Sequence, residues 1–256
     1  MTPKERLIVA LDVDTKEKAL DLVEKLKAEA RVFKIGSELF TSCGPGIVTA
    51  VKDKGAIREH KGDIRGDRGC AVFLDLKFHD IPNTVAKSAV AAVRLGVSML
   101  NVHALGGYDM MKKAAESVVM EAKALKVAKP KIIAVTVLTS MDENSLKKVG
   151  VNDNMEKQVL RLAKLAKDAG LDGVVASPSE IKLIRKELGE DFIIVTPGVR
   201  PEWAAVNDQK RIATPKEAVL NGATYIVVGR PITEAPDPLE AARKIQKEIY
   251  PTSEVG

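Results

Sequence analysis

Eight short apolar, β-branched runs recur along the chain with amphipathic segments between them, and this rhythm narrows the fold more than any single motif. The runs are Leu7 to Val13, Val32 to Gly36, Ala71 to Lys77, Met99 to Ala104, Lys131 to Leu138, Gly173 to Ser177, Phe192 to Val199 and Tyr225 to Arg230. Helical spacing marks Lys16 to Ala28, Val85 to Leu95, Asp109 to Leu125, Met155 to Ala169 and Pro238 to Ile249. Eight strand–helix alternations in 256 residues have the size of an α/β fold of the (β/α)8 TIM-barrel type, one domain over residues 1–256. A doubly wound sheet is the alternative. The barrel is favoured because the unusual polar residues fall at the C-terminal ends of several different strands, where such barrels carry their active sites.

Those strand ends supply a charge cluster. Asp12 ends the first run on the face of Ile8 and Ala10, Lys34 shares a face with Val32, and Asp75 and Lys77 share one with Phe73. If Phe73 points into the barrel, so do both charges, which is costly unless something pairs or uses them. Leu74 and Leu76 then face the covering helices. Consecutive parallel strands are neighbours, so Asp12, Lys34, Asp75 and Lys77 are expected to converge on one patch. The competing reading is a structural salt-bridge network, but buried ion pairs seldom repay their desolvation for stability alone. After the third run the chain turns through His79, Asp80 and Ile81, and Pro82 suits the first turn of a helix.

A phosphate-like signature occupies the last third. The seventh run leads into TPGVRP and a loop through Asn207 to Arg211, and the eighth ends in VVGRPIT with a short helix expected before Pro238. Loops after strands seven and eight commonly bind phosphate in such barrels. Gly229 permits close backbone approach and Arg230 offers a two-pronged charged donor. The fifth run ends TVLTSM, where Thr136, Thr139 and Ser140 offer hydroxyls to a heterocycle or to turn capping. His103 reads as an internally satisfied histidine, and His79 as structural.

The net charge is +5, but 40 basic and 35 acidic residues are interspersed and aromatics make up only 4%, so nucleic acid is not expected as a partner. An anionic small molecule is. No apolar run approaches the roughly 20 residues that span a bilayer, and the first residues lack a signal-peptide pattern, so a cytoplasmic protein without a membrane partner is expected. Cys43 and Cys70 have no metal-spaced companions and read as packing thiols. A polar, Gly-rich insertion at about 55–69 enters between the second helix and third strand, at the stability face of a barrel, and is expected to be loosely packed.

DLKFHDIPNT (Asp75 to Thr84), together with ALDV, FKIG, VLTSM, TPGVRP, the Asp208 to Arg211 run and VVGRPIT, resembles the orotidine 5'-phosphate decarboxylase family in order along essentially the whole chain. The resemblance implies decarboxylation of orotidine 5'-phosphate to uridine 5'-phosphate, the last step of UMP synthesis, with neither metal nor organic cofactor. It implies a catalytic array of Lys34, Asp75, Lys77 and Asp80, with Lys77 stabilising the C6 carbanion and donating its proton. Asp12 and Lys34 would contact ribose, Thr139 and Ser140 the pyrimidine, and Arg200, Gln209, Gly229 and Arg230 the 5'-phosphate. A homodimer is implied, in which Asp80 and Thr84 reach the neighbouring subunit's site. The loop Arg200 to Arg211 would act as a lid. The rivals are a metal-dependent sugar-phosphate decarboxylase or hexulose-phosphate synthase of the same superfamily, and a catalytically idle barrel. Pro82, Asn83, Thr84 and the Gln209 loop favour the nucleotide.

Overall fold

The computed structural model describes residues 1–56, 69–204 and 213–250. Eight parallel strands close into one barrel: β1 (Leu7–Ala10), β2 (Val32–Gly36), β3 (Ala71–Phe78), β4 (Met99–His103), β5 (Lys131–Val135), β6 (Gly173–Val175), β7 (Ile193–Thr196) and β8 (Tyr225–Val228). Each pairs with the next in sequence, and β8 pairs back to β1 with Leu7 opposite Ile226. The (β/α)8 architecture expected from the rhythm of the chain is therefore the one observed.

Alternation along the strands divides the apolar residues between two layers. In β1, Leu7 and Val9 join the large shell between barrel and helices, whereas Ile8 and Ala10 join an inner cluster with Phe73, Met99, Ile133, Val195 and Val227. Burial on both faces explains why these strands read as continuous apolar runs rather than alternating ones. Six strands are shorter than their runs because the last residues of those runs leave the ladder to form the mouth; β2 matches its run, and β3 extends one residue beyond it to Phe78. Leu74 packs into the outer shell with Leu76 partly buried against it, as the pattern of β3 requires.

Helices cover the outside, each opened by local chemistry. Thr15 caps the helix Lys16–Leu26 by accepting from the Lys18 N–H, and Asn154 caps Met155–Asp168 through the Lys157 N–H. Pro82 occupies the first turn of Pro82–Arg94, so this helix starts one turn earlier than the periodicity from Val85 suggests. The Cys70 thiol donates to the Gly55 carbonyl at 3.4 Å, tying together the two ends of the connection that precedes β3. Residues 57–68, the bulk of the insertion at 55–69, lie outside the described residues. Both cysteines are free thiols, and burial pushes that of Cys70 up to about 11. Among the described residues no helix is long and apolar enough to cross a membrane.

Candidate active site

A cavity of about 350 Å³ opens at the C-terminal end of the barrel. Its floor is apolar, from Phe73, Val135, Val175, Val195 and Val227, and its walls carry Asp12, Lys34, Asp75, Lys77, Thr139, Arg200, Gly229 and Arg230. These polar residues come from eight separate positions in the chain and from both halves of the barrel.

Four of them form one chain of charge. Lys34 Nζ lies 2.8 Å from Asp12 Oδ1 and 3.2 Å from Asp75 Oδ2, and Lys77 Nζ lies 2.7 Å from Asp75 Oδ1. The side chains of Lys34 and Asp75 are 10% and 12% exposed, whereas those of Lys77 and Asp12 are 36% and 54% exposed. The buried pair thus forms the base of the array, and Lys77 and Asp12 project toward the opening. Burial alone would weaken the Lys34 ammonium, but the charges of Asp75 and Asp12 outweigh it and raise its pKa above the usual lysine value. Burial likewise works against the Asp75 carboxylate, yet the Lys34 and Lys77 charges, with hydrogen bonds from Lys77 and Asn101, hold its pKa below the usual range. Gly36 leaves room for this arrangement: a Cβ there would lie 3.1 Å from Lys34 Nζ and 3.3 Å from Asp12 Oδ1.

The backbone at Lys77 departs from the simple alternation read from the sequence. Leu74 pairs with Leu100 and Phe78 with Val102, so the three residues Asp75 to Lys77 face the single residue Asn101. Lys77 has φ 52°, a left-handed conformation that costs a side-chain-bearing residue about 1–2 kcal/mol. A bulge of this kind re-aims a side chain next to a functional site. Lys77 still reaches Asp75 on the inner face, but through the bulge rather than through strand periodicity.

Across the mouth, Arg200 is buried with 8% exposure, and its N–H donates to the Ala213 carbonyl at 2.9 Å. The chain therefore leaves and re-enters the rim at one point. Gln209 and most of the loop expected to act as a lid, residues 205–212, lie outside the described residues. Arg230 begins the short helix Arg230–Thr233, directly after Gly229. A Cβ on Gly229 would sit 3.4 Å from Ala10 Cβ and 3.5 Å from Asp12 Oδ2, ordinary contacts that the protein alone tolerates.

Other expected residues stand apart from this cavity. Thr139 lines it, but Ser140 is exposed and lies outside the lining, and Thr136 is buried with its hydroxyl on the Val175 carbonyl at 3.0 Å. Asp80 is exposed and accepts from the Ile81 N–H at 2.6 Å, and Thr84 is exposed in the first turn of its helix. Within one chain neither joins the Lys34–Asp75–Lys77 array. His103 stacks on His79 with ring centroids 5.4 Å apart, and its Nδ1 accepts from the Leu105 N–H at 3.4 Å. Burial first, then the charges of His79 and Lys77, lower its pKa. Two residues of the site escaped the sequence reading: Asn101, bonded to both Asp75 and Lys77, and Glu234, at the rim beside Arg230. For Asn101 the signal was present, because it follows the inward Met99 by two residues.

A parallel (β/α)8 barrel whose mouth sets a lysine–carboxylate array opposite two arginines defines an enzyme of the small-molecule anion-binding class. Comparison with known proteins narrows that class. The chain matches the Orotidine 5'-phosphate decarboxylase / HUMPS family over residues 5–245 and belongs to it. The orotidine 5'-phosphate decarboxylase of Trichlorobacter lovleyi is 53% identical over 246 residues, covering 96% of this chain and 95% of that protein. That of Moorella thermoacetica is 53% identical over 250 residues, covering 97% and 94%. Among solved structures, the orotidine 5'-phosphate decarboxylase of Lactobacillus acidophilus superposes with a TM-score of 0.81 at 40% identity, covering 96% of this chain and 99% of that one.

Proposed function

We propose that the chain decarboxylates orotidine 5'-phosphate to uridine 5'-phosphate in cytoplasmic pyrimidine synthesis, with Lys77 as the group that meets the reacting carbon. The observation that carries this reading is the Lys34–Asp75–Lys77 array on one wall of the cavity, with Arg200 and Arg230 on the other. Loss of CO2 breaks the C–C bond at C6 of the pyrimidine and leaves the electron pair on carbon, with no conjugated sink to receive it. The protein must then stabilise that charge with a fixed field. The Lys77 ammonium does so and passes one proton to C6; the amine is recharged from solvent. The ionised Asp75 faces the departing carboxylate, a repulsion of about 4 kcal/mol at 4 Å and an effective dielectric near 20, relieved as CO2 leaves. Enzymes lower barriers by up to roughly 23 kcal/mol, so Asp75 supplies a minor share. Most comes from Lys77, from the array's preorganisation and from phosphate binding by Arg200, Gln209, Gly229 and Arg230. Asp12 and Lys34 hold the ribose, and Thr139 and Ser140 the pyrimidine.

The site is completed by a second copy of the chain, whose Asp80 and Thr84 complete the partner's array. The shape of the surface supports this: beside exposed Asp80, Ile81 and Leu105 remain 65% and 49% exposed around a shallow hollow with His79, Pro82 and Gly106. A metal-dependent sugar-phosphate reaction is less well supported, because Asp12 and Asp75, the two acids of the array, are both engaged by lysine ammonium groups, and the third acid of the lining, Glu234, lies apart from them beside Arg230. The test is the loss of ultraviolet absorbance when protein is added to orotidine 5'-phosphate in EDTA. Turnover at an undiminished rate is expected; no turnover, or turnover only with added divalent metal, overturns the reading.

A further inference from the structure

Asn101 has no place in the mechanism above, and it does not line the cavity. It is fully buried on the inner face of β4, and its two amide atoms bond in opposite senses. Oδ1 accepts from the Lys77 backbone N–H at 2.8 Å, and Nδ2 donates to Asp75 Oδ1 at 2.6 Å. We propose that Asn101 is a positioning residue for decarboxylation, clamping the Lys77 backbone to the Asp75 carboxylate and so setting where the Lys77 ammonium stands. This rests on the decarboxylase reading and adds to it a residue that acts without touching substrate.

The bulge makes such a clamp necessary. Three residues of β3 face Asn101 alone, and Lys77 sits in a left-handed conformation. Its N–H is met by the Asn101 side chain rather than by a backbone carbonyl of β4. A buried N–H needs a partner, and here that partner also orients the proton donor. Asp75 receives the other half of the clamp. Its Oδ1 takes both Lys77 Nζ and Asn101 Nδ2, while its Oδ2 takes Lys34 Nζ, so the carboxylate is gripped at both oxygens. The Asn101 donor is neutral, so it fixes Asp75 without adding a third cation to the array.

Few side chains supply this pair of contacts. Aspartate would set a carboxylate against Asp75, and leucine, of matching shape, offers neither donor nor acceptor. Threonine has one hydroxyl and can serve one contact well. A misplacement of about 1 Å in a reacting group costs on the order of 100-fold in rate even when binding is unchanged.

The experiment compares Asn101→Leu and Asn101→Thr with wild type for kcat and KM on orotidine 5'-phosphate, and for affinity toward uridine 5'-phosphate. Asn101→Leu is expected to lower kcat about 100-fold, with KM and product affinity within about threefold of wild type. Asn101→Thr should recover part of that kcat. A leucine variant that folds and keeps wild-type kcat would overturn the proposal, as would a loss confined to KM or to product affinity. If the leucine variant fails to fold, the threonine variant decides: reduced kcat at unchanged KM supports the clamp, and wild-type kcat overturns it. Absence of turnover in the wild type would instead sink the decarboxylase reading itself.

Discussion

The two sides of the barrel mouth are built by opposite means. Around β1 to β3, charged side chains satisfy one another: Asp12, Lys34, Asp75 and Lys77 are linked by contacts of 2.7–3.2 Å, with Asn101 bracing them from behind. Around β7 and β8 the same rim carries Pro197, Gly198, Arg200, Gly229, Arg230 and Glu234, with the entry and exit of a loop at Arg200 and Ala213. On the first side the Asp12–Lys34–Asp75–Lys77 contacts are made within the chain without a ligand, which suits electrostatic catalysis, since its dipoles and charges must not reorganise as the reaction proceeds. The second presents the fork-shaped side chains of Arg200 and Arg230, which the proposed function assigns to the anion, with binding energy collected there spent at the reacting carbon. In that proposal chemistry and grip fall to two different arcs of one rim.

Breaking the first wall should have the largest effect. Lys77→Ala removes the group proposed to donate the proton and is expected to lower kcat by about 10⁴-fold, the upper range for a general acid, while nucleotide affinity and the far-ultraviolet circular dichroism spectrum persist. Near-normal turnover by that variant would erase the distinction between the walls. Asp75→Leu leaves the buried Lys34 with Asp12 alone. Removing one partner of a buried pair costs about 3 kcal/mol, read as a lower urea midpoint; an unchanged midpoint would mean that the array contributes nothing to stability.

Acid should act on the fold beside the first wall, through His103 at the end of β4. Its pKa is lowered in the folded state by burial, by the stacked His79 and by Lys77, so the unfolded chain binds a proton that the folded chain resists. The stability this confers is fully present above the unfolded value of about 6.5 and is lost as pH falls through the folded value. Urea unfolding at pH 7.5 and 5.5 should show a drop for wild type that is smaller in His103→Gln; equal drops would place the sensitivity elsewhere. Asp75, whose pKa is also lowered, adds its own loss only below about pH 3.9, the unfolded carboxylate value, as pH falls through its folded value.

The sequence carried the first wall more completely than the second. Eight apolar runs in order made the barrel legible, because burial on both faces leaves an unmistakable pattern and parallel strands in a barrel are neighbours in chain order. Asp12, Lys34 and Asp75 followed from counting in twos. Lys77 fell on the right face for an incomplete reason, since the bulge and its left-handed backbone leave no mark in side-chain periodicity. Asn101 went unnoticed because a neutral amide between Leu100 and Val102 looks like a satisfied core residue until its partners are known. The placement of Asp80 and Thr84 outside their own chain's cavity was not legible in strand and helix patterns, which give a residue's position along its element but not which cavity it lines. Ser140 illustrates the limit of reading hydroxyls at strand ends: three lie within five residues, and only Thr139 lines the cavity.

The division between the walls is tested most directly by the ratio of kcat/KM on orotidine 5'-phosphate to that on orotidine, which lacks the phosphate, measured for wild type and Arg230→Ala. The account predicts a large ratio in wild type that falls by about 10²–10³-fold in Arg230→Ala, almost entirely through the phosphorylated substrate. Equal losses on both substrates would contradict it, placing Arg230 in the architecture of the rim rather than in the grip on phosphate.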